Sequence, residues 1–329
     1  MKKGVSIVIA TFNGKDKLEQ TLEHLSQQQV SCDTELILID NASTDATKKF
    51  ADAWWSTHGN QNIDYHSYQQ PIPGKSFAQE LGYSKAQYKY LLVCDDDNWL
   101  CKDYVQTAFE IMESNDNIGA LGGWCEAVFE GDKPKWFESY ARFYAVSKQG
   151  SKSGDVTHKK GCLYGAGMMI RKKDWEYLNE LGFKPLLTCR KGNTLASGGD
   201  TEYSYVLRLL GYKMWYDERL YFKHFMPVGR MSLDYVSRIR KAMSESNFVV
   251  KAYLDKLNGR KQTQKKYFKN FLRQIKHHLF KNIGKRLVGN YEQKEQAKEY
   301  FRQLKRLLFK YKNYKENYDS IDNWLPKSK

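Results

Sequence analysis

The sequence predicts an α/β protein: a mostly parallel sheet flanked by helices, followed by a basic helical extension. Three observations lead there. Short apolar or β-branched runs alternate with helical patterns through the first two-thirds of the chain, the order that builds a parallel sheet with right-handed crossovers. One of these runs, Tyr90-Leu-Leu-Val93, passes almost directly into Asp95, Asp96 and Asp97. An unbroken apolar run fits a strand buried on both faces, and ligands of such sheets gather beyond the carboxyl ends of the strands. Charge is also segregated. Residues 230–329 hold 26 Lys+Arg against 9 Asp+Glu, a net of +17, whereas residues 1–229 hold 27 against 29, a net of −2. The division is set at 1–235 and 236–329, two regions with different partners.

Val5-Ser-Ile-Val-Ile-Ala10 reads as the first strand and Thr11-Phe-Asn-Gly14 as the turn that ends it. A helix follows from about Asp16, with Leu18, Leu22 and Leu25 at helical spacing. Glu35–Ile39 is the second strand, ending at Asp40, and Ser43 or Asp45 can cap the next helix. Asp40 stands where a ribose or base contact often lies in a nucleotide-binding unit, or it is itself a turn residue. Ile63–Tyr68 is the third strand, Pro71–Lys75 a loop and Ser76–Gln87 a helix. After the acidic strand end come a helix over 102–114 and a strand over Ile118–Trp124. The segment 125–160 is irregular, and its Trp136, Phe137, Tyr140, Phe143 and Tyr144 either line an acceptor groove or fill core. Leu163–Ile170 reads as a strand with glycines at its entry, Arg171–Gly182 as a helix, Tyr203–Leu210 as a helix and Gly211–Asp217 as a further strand. No G-x-G-x-x-G or Walker loop is present, which excludes a dinucleotide fingerprint and a P-loop.

The apolar content of 41% supports a real core, and 14% aromatic residues argue against disorder. No run approaches the ~18 apolar residues of a membrane span, and the amino-terminal apolar run is too short for a signal peptide, so a cytosolic protein is expected. Cys32, Cys94, Cys101, Cys125, Cys162 and Cys189 are scattered without a C-x-x-C pair and read as buried reduced thiols. Thr263–Val288 places Tyr267, Phe268, Phe271, Leu272, Ile275, Leu279, Ile283 and Leu287 at i, i+3/i+4 spacing. Tyr291–Tyr311 repeats the pattern, with a break at Gly289-Asn290. Basic amphipathic helices of this kind suit an anionic membrane surface. The alternative is a hairpin packed on the rest of the chain. No nucleic-acid motif appears, so nucleic acid is not an expected partner.

Three adjacent carboxylates repel one another unless a cation compensates them. Alternate strand residues share a face, so Asp95 and Asp97 can converge on one hard cation, Mg²⁺ or Mn²⁺. The alternative is a solvated acidic turn.

Five stretches in order resemble the family 2 glycosyltransferases of the GT-A fold: Ser6–Asn13, Leu36–Asp45, Leu91–Asp97, Tyr164–Gly167, and Gly198–Tyr203 with Leu207–Tyr212. The resemblance covers roughly residues 4–235. It implies a GT-A-type sheet with a Rossmann-like nucleotide-binding half. The implied activity is inverting transfer of a hexosyl or N-acetylhexosaminyl group from a nucleotide-diphosphate sugar, a UDP-sugar first, to a glycan or lipid-linked acceptor. Asp200 takes the place of the general base, with a helix N-cap as the alternative. Asp95, Asp97 and His224 take the metal, Mn²⁺ or Mg²⁺, with a structural histidine as the alternative for His224. Thr11, Asn13, Asp40, Lys75, Asp95, Asp96 and Arg230 fall on the donor. Trp124, Gly165, Gly167 and Glu202 fall on the acceptor and sugar. The expected location is cytoplasmic and peripheral at the inner face of the cell membrane. Three departures stand out: Gly199-Asp200 replaces a Glu-Asp pair, Ala78-Gln-Glu80 replaces A-R-N, and Arg230-Met-Ser is the nearest remnant of Q-x-x-R-W. The last points to single additions rather than polymerisation. Rival functions are a nucleotidyltransferase, which lacks its glycine-rich loop here, and a non-catalytic binding protein.

Overall fold

The computed structural model describes residues 1–187, 198–281, 294, 297–298, 301–302, 304–305 and 308–326. Two compact units form, Met1–Met243 and Ser244–Lys329.

In the first unit, β1 (Lys2–Thr11), β2 (Thr34–Asp40), β3 (Ile63–Gln69) and β4 (Tyr88–Asp95) pair in parallel in the order β3-β2-β1-β4. The sheet continues through β8 (Met169–Arg171), β6 (Ile118–Phe129), β9 (Lys213–Met226) and β5 (Asn98–Leu100). β6 and β9 form a long parallel ladder, while the short β5, β7 (Gly154–Asp155) and β8 pair antiparallel.

Strand alternation sends Val5, Ile7, Ile9, Leu36 and Leu38 to one face. There α1 (Lys15–Ser26), α2 (Thr47–His58) and α4 (Tyr104–Ser114) cover them with Leu18, Leu22, Leu25, Trp55 and Met112. Val8, Ile37, Ile39, Leu91 and Val93 face the other side. They meet Ala78 and Tyr83 of α3 (Lys75–Lys85), Trp175 of α6 (Lys172–Glu180) and Leu207 of α7 (Gly199–Leu209). Each such fully buried aliphatic side chain contributes about 1.5–3 kcal/mol, so the parallel half is a rigid base for the loops at its carboxyl ends.

Several expected boundaries shift. The expected strand from Leu163 shrinks to β8, because Gly167 adopts φ +69° and turns the chain before Met169. The helix expected from Tyr203 begins at Gly199, which draws Asp200 and Glu202 into its first turn. Within 125–160, β6 runs on to Phe129, and α5 (Phe137–Tyr140) leads into a 3-10 turn, Ala141–Tyr144. Phe137, Tyr140 and Tyr144 are core. They pack on Met226 and on Tyr235, Val236 and Ile239 of α8 (Leu233–Leu257), which is why the first unit extends past residue 235. Of the described cysteines, Cys94 and Cys125 are buried and free, and Cys32, Cys101 and Cys162 are free but only half-buried. Cys189 lies outside the described residues.

In the second unit α9 (Gln264–Lys281) and α10 (Tyr311–Trp324) pack through Tyr267, Tyr311 and Tyr314, with Tyr267 and Tyr314 ring centroids 5.2 Å apart. Asp255 is buried there and accepts hydrogen bonds from Lys251, Gln262 and the Tyr314 hydroxyl. Tyr267 and Phe271 are buried as their spacing predicts, but Phe268 and Leu272 are exposed. The break expected at Gly289-Asn290 lies outside the described residues. Among the described residues, no helix is long and apolar enough to cross a membrane.

Candidate active site

The ladder register brings Thr11 opposite Asp40 and Ala10 opposite Asp95, so three strand ends open on one edge. Asn13 bridges two of their loops: its amide carbonyl accepts from Thr44 N at 2.8 Å and its backbone N–H donates to Ser43 Oγ at 2.9 Å. Asp40 is buried and accepts from Ser43 N at 3.2 Å, a turn role that leaves its second oxygen for other contacts. Asn41 was not singled out from sequence. Its side chain bonds the carbonyls of Gln70 and Ile72 and accepts from Gly74 N, which fastens the loop leading to Lys75.

The three aspartates take different partners. β4 ends at Asp95, and Asp96 and Asp97 lie in a turn, so the strand-face argument for Asp95 with Asp97 stops one residue too early. Each carboxylate meets its own cation. Asp95 pairs with Lys75 at the start of α3. Asp96 is buried, accepts from Thr11 Oγ1 at 2.6 Å and pairs with Lys17 at 2.7 Å. Asp97 pairs with Arg230 at 2.9 Å, faces His224 Nε2 at 3.5 Å and accepts from Asn98 Nδ2 at 3.2 Å. His224 reaches Asp97 because β5 pairs with β9 in a register that sets Asn98 opposite His224. Burial and the adjacent Asp97 raise the Asp96 carboxyl above its ordinary value, with Lys17 opposing them. Burial also disfavours charge on Asp97, but His224 and Arg230 outweigh it and hold that carboxyl well below the usual range. Lys17 was missed in the sequence, although it lies one turn into the helix that follows Thr11.

Among the described residues, no three His, Cys, Asp or Glu side chains gather as a metal cage. The three-ligand set Asp95, Asp97 and His224 is therefore not assembled. Asp97 Oδ1 and His224 Nε2 face each other at 3.5 Å, an oxygen and a nitrogen donor of the kind that can hold a divalent ion. An ion that shares its shell with phosphate oxygens needs only one or two protein ligands.

The residues expected on the acceptor side are tied to the same strand end. Gly167 N donates to Val93 O and Val93 N to Met168 O, so the turn 165–168 clips onto β4 two residues before Asp95. A Cβ on Gly167 would lie 2.3 Å from the Tyr104 hydroxyl, which donates to the Gly167 carbonyl at 2.7 Å. Gly165 N donates to Asp200 Oδ2 at 2.9 Å and Thr201 N to Oδ1 at 2.7 Å. Asp200 is thus held by backbone amides at a helix N-terminus, and spare lone pairs remain on both oxygens. Glu202 lies about 200° further round the helix and turns inward. It is buried, and its oxygens accept from Leu186 N and Leu187 N at 2.9 and 2.7 Å. It anchors backbone and does not share the outlook of Asp200.

Gln149 and Lys160, also missed, brace this side. Gln149 is buried, donates to Gly123 O at 2.7 Å and accepts from Tyr164 N at 2.8 Å and Lys160 Nζ at 2.7 Å. Lys160 Nζ lies 3.3 Å from the centre of the Tyr164 ring. Burial brings its pKa down to about 8, against the opposing charges of Cys162 and Asp200. Trp124, next to Gly123, donates its indole N–H to Glu218 O at 2.9 Å and packs on Tyr221.

The profile of the family described as Glycosyl transferase family 2 matches residues 6–178. Curated relatives include the glycosyltransferase GlyG of Streptococcus pneumoniae, 23% identical over 38% of this chain and 40% of its own length. The abequosyltransferase RfbV of Salmonella typhimurium is 27% identical over 35% of this chain and 34% of its own. The chain thus spans well under half the length of these relatives. Among solved structures, S. aureus TarS 1–349 aligns with a TM-score of 0.55 at 14% identity, covering 98% of this chain and 89% of that one, a likeness of fold. The same fragment in complex with UDP-GlcNAc aligns at 0.54 with 15% identity over the same shares. The family match takes in the ends of β1, β2 and β4 and the 165–168 turn and spans more than half of the 329 residues, so this chain belongs to glycosyl transferase family 2.

Proposed function

We propose that this protein moves one sugar per encounter, with inversion, from a UDP-sugar to a hydroxyl of a glycan or lipid-linked acceptor. The observation that carries this is the pairing at the end of β4: Asp97 with Arg230 and His224 on one side, Asp200 held through Gly165 on the other. A UDP-sugar is chosen because the fold is shared with S. aureus TarS 1–349, solved in complex with UDP and with UDP-GlcNAc. A hexosyl or N-acetylhexosaminyl group is the corresponding sugar.

Thr11, Asn13 and Asp40 hold the base and ribose at the strand ends. Lys75 and Arg230, already at the acidic turn, turn to the diphosphate when it arrives. Mn²⁺ or Mg²⁺ fits beside Asp97 and His224 and, when bound, supplies charge neutralisation for the leaving diphosphate. Asp200 accepts the hydroxyl proton as the acceptor oxygen bonds to the anomeric carbon and the bond to the diphosphate breaks. Gly165 sets where that carboxylate stands. The basic second unit meets an anionic membrane surface on the cytoplasmic side, and the enzyme stays peripheral.

Thermal shift against UDP-, GDP-, CMP- and dTDP-sugars, with Mn²⁺ and with chelator, tests this. Stabilisation by UDP-sugars that chelator removes is the expected result. A folded protein that responds to no donor in the presence of metal would sink the proposal and favour a non-catalytic binding protein.

A further inference from the structure

The second unit carries apolar side chains that its own core does not use. α9 holds six Lys+Arg and no Asp or Glu. Its inner face is set by Tyr267 and Phe271, both buried against the tyrosines of α10. At 100° per residue, Phe268, Leu272, Lys265, Lys276, Lys269, Phe280 and Arg273 fall in that angular order within an arc of about 140° beside and opposite that face. Phe268, Leu272 and Phe280 are 41%, 37% and 75% exposed. All four cations of the arc are exposed as well.

We infer that this arc of α9 is the surface that seats the protein on an anionic lipid headgroup layer. The inference rests on the membrane reading above and assigns it to one helix face. Charge complementarity names the occupant. A face with four cations and no carboxylate is matched by a dense anionic surface. The interleaved Phe, Leu and Phe enter the headgroup–acyl boundary, while the Lys and Arg stems lie along it with their charges in the headgroups. A duplex nucleic acid would use the cations but leave three exposed apolar side chains without a partner. α10 offers no such face: Lys312 pairs with Glu316 and Lys315 with Asp319 along its surface.

The test is co-sedimentation of the full chain with vesicles of phosphatidylcholine alone and with roughly 30% phosphatidylglycerol, at about 0.1 M salt. Two variants address the face, Phe268→Ser/Leu272→Ser/Phe280→Ser and Lys269→Gln/Arg273→Gln. A charge-matched control, Lys312→Gln/Lys315→Gln, addresses α10. All change exposed side chains, and circular dichroism checks folding. The wild type is expected to bind anionic vesicles alone, with each face variant weakened about tenfold or more and the control within about twofold. Binding that survives both face variants would overturn the assignment to α9 while leaving membrane association standing. No binding of the wild type to anionic vesicles would overturn both, as would binding to a nucleic-acid duplex in place of vesicles. Donor turnover, measured in parallel without lipid, keeps these outcomes separate from the chemistry.

Discussion

The two sides of the candidate site hold their carboxylates in opposite ways. On the proposed donor side every aspartate of the acidic turn has a side-chain cation: Lys75 for Asp95, Lys17 for Asp96, Arg230 for Asp97. On the proposed acceptor side Asp200 is held by two backbone amides, and among the described residues it makes no ion pair. The difference suits the two tasks proposed above. A site for a diphosphate gains from cations that are already gathered, because they can exchange a carboxylate for a phosphate with little rearrangement. A proton acceptor gains from fixed orientation without a neutralising partner, because a direct ion pair would weaken its basicity.

Replacing Asp200 gives the largest expected effect and the sharpest test of this contrast. Asp200→Asn keeps the shape and can still accept from Gly165 N. Turnover is expected to fall by about 10³–10⁴-fold while donor affinity stays within a few-fold. If donor affinity fell in step with turnover, the two sides would not be separate devices.

Asp97→Asn attacks the other side. It removes the charge between Arg230 and His224, and donor affinity with its metal response is expected to drop by about 10–100-fold. Calorimetric titration with a UDP-sugar, with and without Mn²⁺, reads it. Affinity that survives with its metal response intact would move the ion elsewhere.

The contrast was only half legible in the sequence. Parallel strands announce themselves because both their faces are apolar, and the strand ends at Thr11, Asp40 and Asp95 followed from that. The partners of the acidic turn did not follow from any local pattern: Lys75, Arg230 and His224 were named only through the family resemblance, and Lys17 was not named. Arg230 and His224 are more than 120 residues away and arrive through the pairing of β5 with β9, which no local pattern encodes. The alternation rule also stops applying where a strand ends, and β4 ends at Asp95, so it does not place Asp97, which meets a different cation. Glu202 misled because the helix starts four residues before Tyr203, which turns residues two apart to different sides. Arg171 gave no signal at all. It is fully buried and donates to the carbonyls of Met112, Asn115 and Ile118, a role that exists only once α4, β6 and β8 are assembled. In α9 the apolar spacing was correct, but spacing cannot say which of two adjacent stripes a small unit will cover.

Gly165→Ala probes the acceptor side without touching a charge. The new Cβ would lie 3.1 Å from Asp200 Cβ, so the carboxylate or the turn shifts by a few tenths of an ångström. Turnover is expected to fall about tenfold with donor affinity unchanged, since displacement of about 1 Å is worth roughly 10²-fold. Unchanged turnover would mean that the position of Asp200 is not set by this turn.

A stability measurement, which leaves turnover aside, probes the same side by proton linkage. Lys160 braces the acceptor side through Gln149, and its pKa of about 8, brought down by burial, lies below the 10.5 of a free lysine. The folded chain therefore releases this proton first. Between pH 8 and 10.5 the unfolded chain holds the proton while the folded chain has lost it, so this group adds stability as pH rises through that window. The shift corresponds to at most about 3 kcal/mol before solvent screening of its exposed part. Lys160→Met abolishes the linkage and keeps the stem. Urea unfolding at both ends of the window should show the wild type gaining on the variant as pH rises. A constant difference between them would mean that Lys160 is solvated like a surface lysine, and that the acceptor side is braced by Gln149 and the backbone alone.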